Sequence, residues 1–537
     1  MQKFLQLFEN QNFKIVQTHA SILMVQPPFV YKIKKNVNFG FLDFSTKEKR
    51  LYYSILEVQL NQRLCKGIYQ SIELLFIEKQ KIRFKTLLKL QDILQVPKEE
   101  LMDFVKNIML LIEEECEFAI KMSYIEDSYF LKNQKITFDK LQNLANYLFD
   151  FYDSIEIMKK SFIKKAIKEN LSQVQKFIHS TIDLLSYKLI KKFNVLYFKK
   201  YHTLLKKRIK KGWIRNCHGD LHLEHIIYRN DSICIYDCIE FNEEFRTIDI
   251  ANDIAFLCMD LDFHGYFRES QYLINLFYKK YYDFDFLFLQ DFYRSYRAFV
   301  RGKIYSLKIL SDSILEEEKK ISINLAKSYF RLSLQYALKG IHPTIFIFMG
   351  RIGSGKSTYA QSLCELLNTK TFSSDVIRKE LFGIHPWERT PENLKKMVYS
   401  KLITYIVYNK MIRESIDHAY KKGVAVLDAT FATRTLRNLA VFRFFEENCK
   451  VVFIEIQAKK EMILERLKKR MQSAKETSDA GIQEFLDFYD SYQPPYELPE
   501  NQKITIQIDQ EYPINQIFIS IVKRILNHRF TFESNYF

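Results

Sequence analysis

Hydrophobic and polar positions alternate along residues 12–35, which end in FVYKIKK. That period of two predicts strands, with Pro27-Pro28 as a turn between two of them. The period then lengthens. In TKEKRLYYSILEVQLNQRL (46–64) Leu51, Ile55, Val58 and Leu64 fall near one face of a helix. Residues 71–90 return to strand-like runs, and from about 98 to 210 Leu, Ile and Phe recur at helical spacing without breakers. Between 214 and 237 short apolar strands bracket HGDLHLEH and IYDCIEFN, after which helices are expected from about 249 to 339. Gly340 suits a helix C-terminus and Pro343 a stop, so the main domain boundary is placed near 340. Beyond it, strands (TIFIFM, a short run near 370, VAVLDAT, VVFIEIQA, ITIQID) alternate with helices. Thr390-Pro391 opens one long helix with a capping hydroxyl and a first-turn proline. Such βαβ alternation implies a parallel sheet covered by helices.

Composition narrows the classes. A chain of 537 residues suits two to four domains, and 47% hydrophobic with 27% charged residues suits folded globular domains. No apolar run reaches the roughly 18 residues of a membrane span. The stretch MQKFLQLFENQNFKIV has no small-residue cleavage site, so a signal peptide is not expected and a cytoplasmic location is. Eight scattered cysteines without a CxxC pair read as free thiols. The net charge of +17 is Lys-driven and densest from Lys159 to Lys211. That surface is able to attract nucleic acid, although a solvated helix face is the plainer reading.

Gly350-Arg351-Ile352-Gly353-Ser354-Gly355-Lys356-Ser357, followed by Thr358, fits GxxxxGK[ST] between a predicted strand and a predicted helix. The glycines let backbone N–H groups converge on phosphate oxygens, and the helix N-terminus adds partial positive charge. Lys356 is expected on the β- and γ-phosphates of ATP and Ser357 on Mg²⁺. Asp375, after the second strand, is a candidate base for an attacking hydroxyl, and Arg378 a candidate anion clamp. An N-cap Asp paired with an Arg three residues on is the structural alternative. Asp428, ending VAVLD, is a candidate for the water shell of Mg²⁺. Arg466 and Arg470 share a helix face and are candidate lid arginines. On GRIGSGKS, SSDVIRKEL, LDATF and Ser478-Asp479-Ala480, the segment 344–528 resembles P-loop kinases of the zeta-toxin, gluconate-kinase and polynucleotide-kinase type. The resemblance implies that Asp375 binds or deprotonates the acceptor.

In the N-terminal half, His218-Gly219-Asp220-Leu221-His222 and Tyr236-Asp237-Cys238-Ile239-Glu240 give two loop carboxylates separated by a hairpin. Phosphoryl transfer uses such a pair, one to align the acceptor and one to hold a metal. Here the sequence resembles the aminoglycoside phosphotransferase family, whose HGDxHxxN motif falls on His218, Gly219, Asp220, His222 and His225. The resemblance implies a kinase-like fold, Asp237 as the metal Asp and Asp253-Ile254-Ala255 as the later DxA motif. It further implies Lys32, with Lys34 second, as the nucleotide lysine, and Glu57, with Glu48 second, as its partner. His225 replaces the family's metal-binding Asn, and imidazole is a poor Mg²⁺ ligand.

Domain order, together with KKNVNFGFLDFSTKEKR, CHGDLHLEHI, DCIEFN and SSDVIRKELFG, resembles bifunctional aminoglycoside phosphotransferase/ATP-binding proteins. The expected fold is multidomain: an N-terminal α+β, two-lobed, protein-kinase-like domain (1–335) and a C-terminal α/β P-loop NTPase with a parallel sheet (342–530). The expected function is an ATP- and Mg²⁺-dependent kinase acting on a small-molecule hydroxyl, without a membrane partner. The alternatives are a P-loop ATPase switch with an N-terminal pseudo-kinase binding module, and a nucleic-acid end kinase.

Overall fold

The computed structural model describes residues 13–18, 20–78, 81–112, 116–310, 314–471, 478–510 and 512–532. The stretch read for a signal peptide therefore lies largely outside the described residues. Six antiparallel strands make the first sheet: β1 (Lys14–Gln17), β2 (Ser21–Gln26), β3 (Phe29–Lys34), β4 (Tyr69–Glu78), β5 (Lys81–Lys89) and β6 (Glu117–Ser123), in the order β1-β2-β3-β6-β4-β5. Pro27-Pro28 turns β2 into β3, and their register pairs Leu23 with Lys32. Helix α1 (Lys47–Asn61) packs on this sheet, and the Thr46 hydroxyl caps it by accepting from the Lys49 N–H. Strand β6 interrupts the stretch from 98 to 210 that the periodicity reads as mostly helical. Its charges obscured the run EFAIKMS, but Glu117 is buried in a bidentate pair with Arg50 of α1, at 3.1 and 2.7 Å.

The second lobe is mainly helical. It includes α2 (Leu184–Lys210), α3 (Ile250–Phe263), α4 (Phe284–Lys308) and α5 (Glu316–Lys339). Two small antiparallel pairs carry the loops between them: β7 (Ile214–Asn216) with β10 (Thr247–Asp249), and the hairpin β8 (Ile226–Arg229) with β9 (Ser232–Ile235). The Lys-rich stretch is partly structural: Arg208 near the end of α2 is buried on Asp249, at 2.8 and 2.7 Å, and on Asp283.

Gly340 to Pro343 lead from α5 into β11 (Thr344–Met349), and Gly340 takes the positive φ of 83° that a helix exit favours. β11 is the centre of a parallel five-stranded sheet, β12-β13-β11-β14-β15, with β12 (Thr371–Ser373), β13 (Val424–Asp428), β14 (Lys450–Ala458) and β15 (Lys503–Ile508). Every residue of β11 and β13 is buried, as a doubly covered sheet requires. Helices α6 (Lys356–Leu367), α7 (Ser374–Leu381), α8 (Glu392–Val398), α9 (Lys401–Lys422), α10 (Lys460–Met471) and α11 (Ile514–Phe532) are among those flanking it. The long helix expected from 391 is two helices, because Ser400 caps α9 by accepting from the Ile403 N–H. The Thr390 hydroxyl does not cap α8; it donates to buried Asp479.

The two halves share apolar core: Leu334, Leu338 and Ile341 belong to one buried cluster with Leu363, Leu367, Ile521 and Ile525. At its edge Arg529 of α11 donates to the carbonyls of Tyr336 and Ala337 and pairs with Asp291. None of the described helices is long and apolar enough to cross a membrane.

Candidate active sites

The C-terminal loop begins where β11 ends. Gly350 has φ 136°, and a Cβ there would come within 2.4 Å of the Ile456 carbonyl on β14, so only glycine lets the loop leave the sheet this closely. Gly353 packs against Ile463 and Leu467 of α10, and Ile352 joins the same small cluster. Gly355, at φ 99°, opens α6 and turns its first N–H groups toward the loop. Lys356 is buried and donates to the Arg351 carbonyl at 2.9 Å. Burial lowers its pKa, opposed by the charges of Asp428 and Asp375. Burial likewise raises that of Asp428, which Lys356 and a hydrogen bond from Ser357 oppose. Ser357 and Thr358 are exposed at the helix mouth, whereas Ser354 Oγ is buried without a hydrogen-bond partner.

The remaining candidates flank this cradle. Asp375 lies in the first turn of α7, half-buried, and its charge reaches Lys356, Asp428 and Tyr399. Arg378 is buried: it donates to Val398 O at 2.8 Å and Thr404 Oγ1 at 3.2 Å and sits 4.8 Å over the Tyr399 ring. Both bonds come from Nη1, and Nε is buried without a partner. The Arg351 guanidinium lies over the rings of Tyr489 and Tyr492. Arg466 donates to Ser354 O at 3.0 Å and Arg470 to Ser478 O at 2.8 Å; the Arg470 charge also reaches Lys356 and Asp428. Asp479 gathers Thr390, Tyr399 (2.7 Å) and Lys379 (3.2 Å), tying the segment after α10 to α7 and to the start of α8. Oxygen donors at Ser357 and Asp428 beside a helix N-terminus fit Mg²⁺ and phosphate.

The N-terminal site is assembled across far larger sequence distances. Lys32 on β3 lies 2.8 Å from Glu57 of α1 and 2.6 Å from Asp237. Lys34, two residues along the same strand, shares Glu57 at 2.7 Å and pairs with Glu240. Two lysines and three carboxylates thus form one partly buried lattice. Burial would lower the Lys32 pKa, but Asp237 and Glu57 hold it well above its usual value. Glu48 lies elsewhere, in the first turn of α1.

Asp220 sits on the loop after β7. Buried Asp253 of α3 accepts from the His218 N–H (3.1 Å), the Gly219 N–H (2.9 Å) and Tyr152 Oη (2.9 Å), and so fixes that loop. Gly219 has φ 86°, and a Cβ would meet the Phe245 carbonyl at 3.0 Å. His218 is fully buried, between the Tyr236 carbonyl on Nε2 (3.0 Å) and the Asp220 N–H on Nδ1 (3.3 Å). His225 bridges the two loop carboxylates: Nδ1 is 3.6 Å from Asp220 Oδ2, and Nε2 is 3.4 Å from Asp237 Oδ2. Asp237 itself has φ 61°. Both carboxylates keep about a third of their side-chain surface open, 34% and 36%. Burial raises each pKa, but His222, His225 and Arg301 draw Asp220 well below the carboxylate range, and Lys32 and His225 do the same for Asp237.

Asp220, His222 and His225 form a cluster with ligand atoms within 4.8 Å of one another. His218 is outside it. The mixed nitrogen and oxygen donor set fits a softer divalent ion better than Mg²⁺. Around these groups lies a cavity of about 700 Å³.

Cysteine pairing requires a correction. Cys65, just after α1, and Cys234, on β9, form a disulfide across 169 residues, so these two are not the free thiols expected. The main chain already brings them together, since the Ile235 N–H donates to the Leu64 carbonyl at 2.9 Å. Sequence reasoning also passed over Glu240, Arg297 and Arg301. The only signal for the arginines was their i,i+4 spacing on a long helix, which exposed faces share.

A family model described as an AAA domain matches residues 345–495. Uncharacterised proteins of Mycobacterium tuberculosis and Mycobacterium bovis are 24% identical over 439 residues, spanning 79% of this chain and 79% of each relative. Among solved structures, a gluconokinase from Sinorhizobium meliloti aligns at 14% identity, covering 36% of this chain and 98% of its own, with a TM-score of 0.27. A shikimate kinase from Acinetobacter baumannii aligns at 14% identity over 36% of this chain and 96% of its own, with a TM-score of 0.24. The matched domain and its P-loop give the chain the ATP-dependent enzymatic character of P-loop NTPases.

Proposed function

We propose that this chain transfers the γ-phosphate of ATP to a hydroxyl group of a small molecule. The observation that carries the reading is that Lys356, Asp428 and Asp375 feel one another's charge at the mouth of one helix N-terminus. In the reaction Lys356 would leave the Arg351 carbonyl for the β- and γ-phosphates, and the first N–H groups of α6 would bind their oxygens. Mg²⁺, when bound, would be held through Ser357 and Asp428 and would supply charge neutralisation at the phosphates. Asp375 would accept the proton of the attacking hydroxyl. Arg466 and Arg470 would meet charge growing on the transferred group, and their helix would exclude water. Arg378, anchored through Nη1 on Val398 and Thr404, would offer its remaining donors to an anionic group.

In the N-terminal half, Lys32 would meet a nucleotide's phosphates while Asp220 aligns a hydroxyl. A second reading, favoured by His225 alone, keeps the P-loop as an ATPase switch and makes this half a binding module. ATP consumption, with and without a deproteinised metabolite extract, separates the two in wild type, Asp220→Ala and Lys356→Ala. Stimulation by extract that is lost in either variant supports the kinase and assigns the half responsible. Slow turnover indifferent to extract, and lost only in Lys356→Ala, would support the switch.

A further inference from the structure

On the wall of the N-terminal cavity formed by the C-terminal half of α4, Lys303 has no carboxylate at ion-pair distance among the described residues. Arg297, Arg301 and Lys303 all line that cavity together with Asp220. Lys303 is 5% exposed. Its ammonium donates only to neutral amides, Asn170 Oδ1 at 2.6 Å and Gln173 Oε1 at 3.1 Å, and lies 5.2 Å over the Phe41 ring. Glu169 acts on it from farther away, and burial pushes its pKa down to about 8. Arg297 is 4% exposed; it donates to Asn252 and Gly219 and faces the charge of Asp253, but its Nη2 is buried without a partner. Arg301 reaches His222 Nε2 and Glu224 Oε2, each at 3.5 Å, and its Nε is buried without a partner. Glu224 is shared with Lys132. Asp237 and Glu240 are engaged by Lys32 and Lys34. An ammonium removed from water without an opposing charge beside it is costly, and an anion reaching Lys303 would relieve that cost.

The position of this charge separates it from the nucleotide flank. His225 stands between the two loop carboxylates, with Lys32 on the Asp237 side and Arg301 on the Asp220 side. The arginines of the α4 wall therefore lie on the Asp220 side, Arg297 through its bond to the Gly219 carbonyl. Resting on the phosphotransfer reading of that residue, we propose that the N-terminal site takes an anionic hydroxyl compound, bearing a carboxylate or a phosphate ester, with Lys303, Arg297 and Arg301 as counter-charges. A polycationic acceptor would meet like charge at Lys303 and the two arginines. In the transfer, the acceptor O–H gives its proton to Asp220 as its oxygen bonds to the γ-phosphorus. The bond from that phosphorus to the β,γ-bridging oxygen breaks, leaving ADP.

The test uses the full chain carrying Lys356→Ala, which is expected to remove P-loop turnover, and isothermal titration in the presence of a saturating non-hydrolysable ATP analogue. The probes are glycerate for the carboxylate class, glycerol 3-phosphate for the ester class, neutral glycerol, and kanamycin as a polycation. At least one anion is expected to bind while glycerol and kanamycin do not. Adding Lys303→Gln should weaken that anion about tenfold or more, Lys303→Arg should restore most of it, and both should leave the nucleotide analogue unaffected. Binding of neither anion, kanamycin binding as well as the anions, or a Lys303→Gln effect on the nucleotide instead would overturn the proposal. Because the readout is binding, anion capture without phosphate transfer would count against phosphotransfer alone. Transfer to a neutral or cationic acceptor at Asp220 would count against the anionic acceptor alone.

Discussion

The two sites arrange similar groups by opposite means. The P-loop gathers its phosphate-binding groups within one short turn, where backbone N–H groups and a helix N-terminus supply most of the field. The N-terminal site uses side chains, and its central ion pair joins Lys32 to Asp237 across 205 residues. A site built from backbone tolerates substitution around it but not of its glycines. A site built from an ion lattice depends on every charge, because removing one leaves the others buried and unmatched.

The two sites should separate most clearly at one lysine and one acid. Lys356→Ala should lower C-terminal ATP turnover by about 100-fold or more, since it removes charge at the transferring phosphate; steady-state ADP release on an Asp220→Ala background measures this without interference. Asp220→Asn should lower any N-terminal phosphotransfer by about 10²–10⁴-fold while leaving Lys356-dependent turnover intact. A loss of both activities together would mean that the sites are not separable.

Smaller effects sharpen the contrast. His225→Asn should improve Mg²⁺ relative to Mn²⁺ at the N-terminal site by about 10-fold or more, because an oxygen donor replaces imidazole. Nucleotide-analogue titration with each ion, in the Lys356→Ala background, checks it; an unchanged ratio of affinities would remove His225 from the metal site. Smallest is a stability effect. The folded-state pKa of Lys303, about 8, lies below its unfolded value near 10.4. Below pH 8 the ammonium is charged in both states and its burial cost is fully present. As pH rises toward 10.4 the folded form is neutral first, and the cost is relieved. Lys303→Met should therefore stabilise the unliganded chain by roughly 1–2 kcal/mol at pH 7, and the gain should shrink above pH 8 in thermal unfolding.

Legibility followed the same division. The P-loop could be read because its chemistry and its strand–helix context are contiguous, and the buried runs TIFIFM and VAVLD have no polar interruption. Strand β6 could not, because Glu117 is apolar in effect only once Arg50, 67 residues earlier, neutralises it. The break between α8 and α9 depended on a cap at Ser400 in a run whose periodicity hardly falters. Thr390 looked like a cap, but its hydroxyl is taken by Asp479, 89 residues on. The Cys65–Cys234 pair is a product of tertiary proximity, for which local spacing carries no mark, and the i,i+4 spacing of Arg297 and Arg301 does not tell a cavity wall from an exposed face.

Central to the account is the transfer of phosphate to a small molecule. The most direct measurement follows γ-labelled ATP incubated with the full chain, Mg²⁺ and a deproteinised metabolite extract, with the products separated afterwards. The account predicts label in a new small-molecule phosphoester that depends on Lys356 or on Asp220. Label recovered only as inorganic phosphate, at the same rate with and without extract, would contradict it.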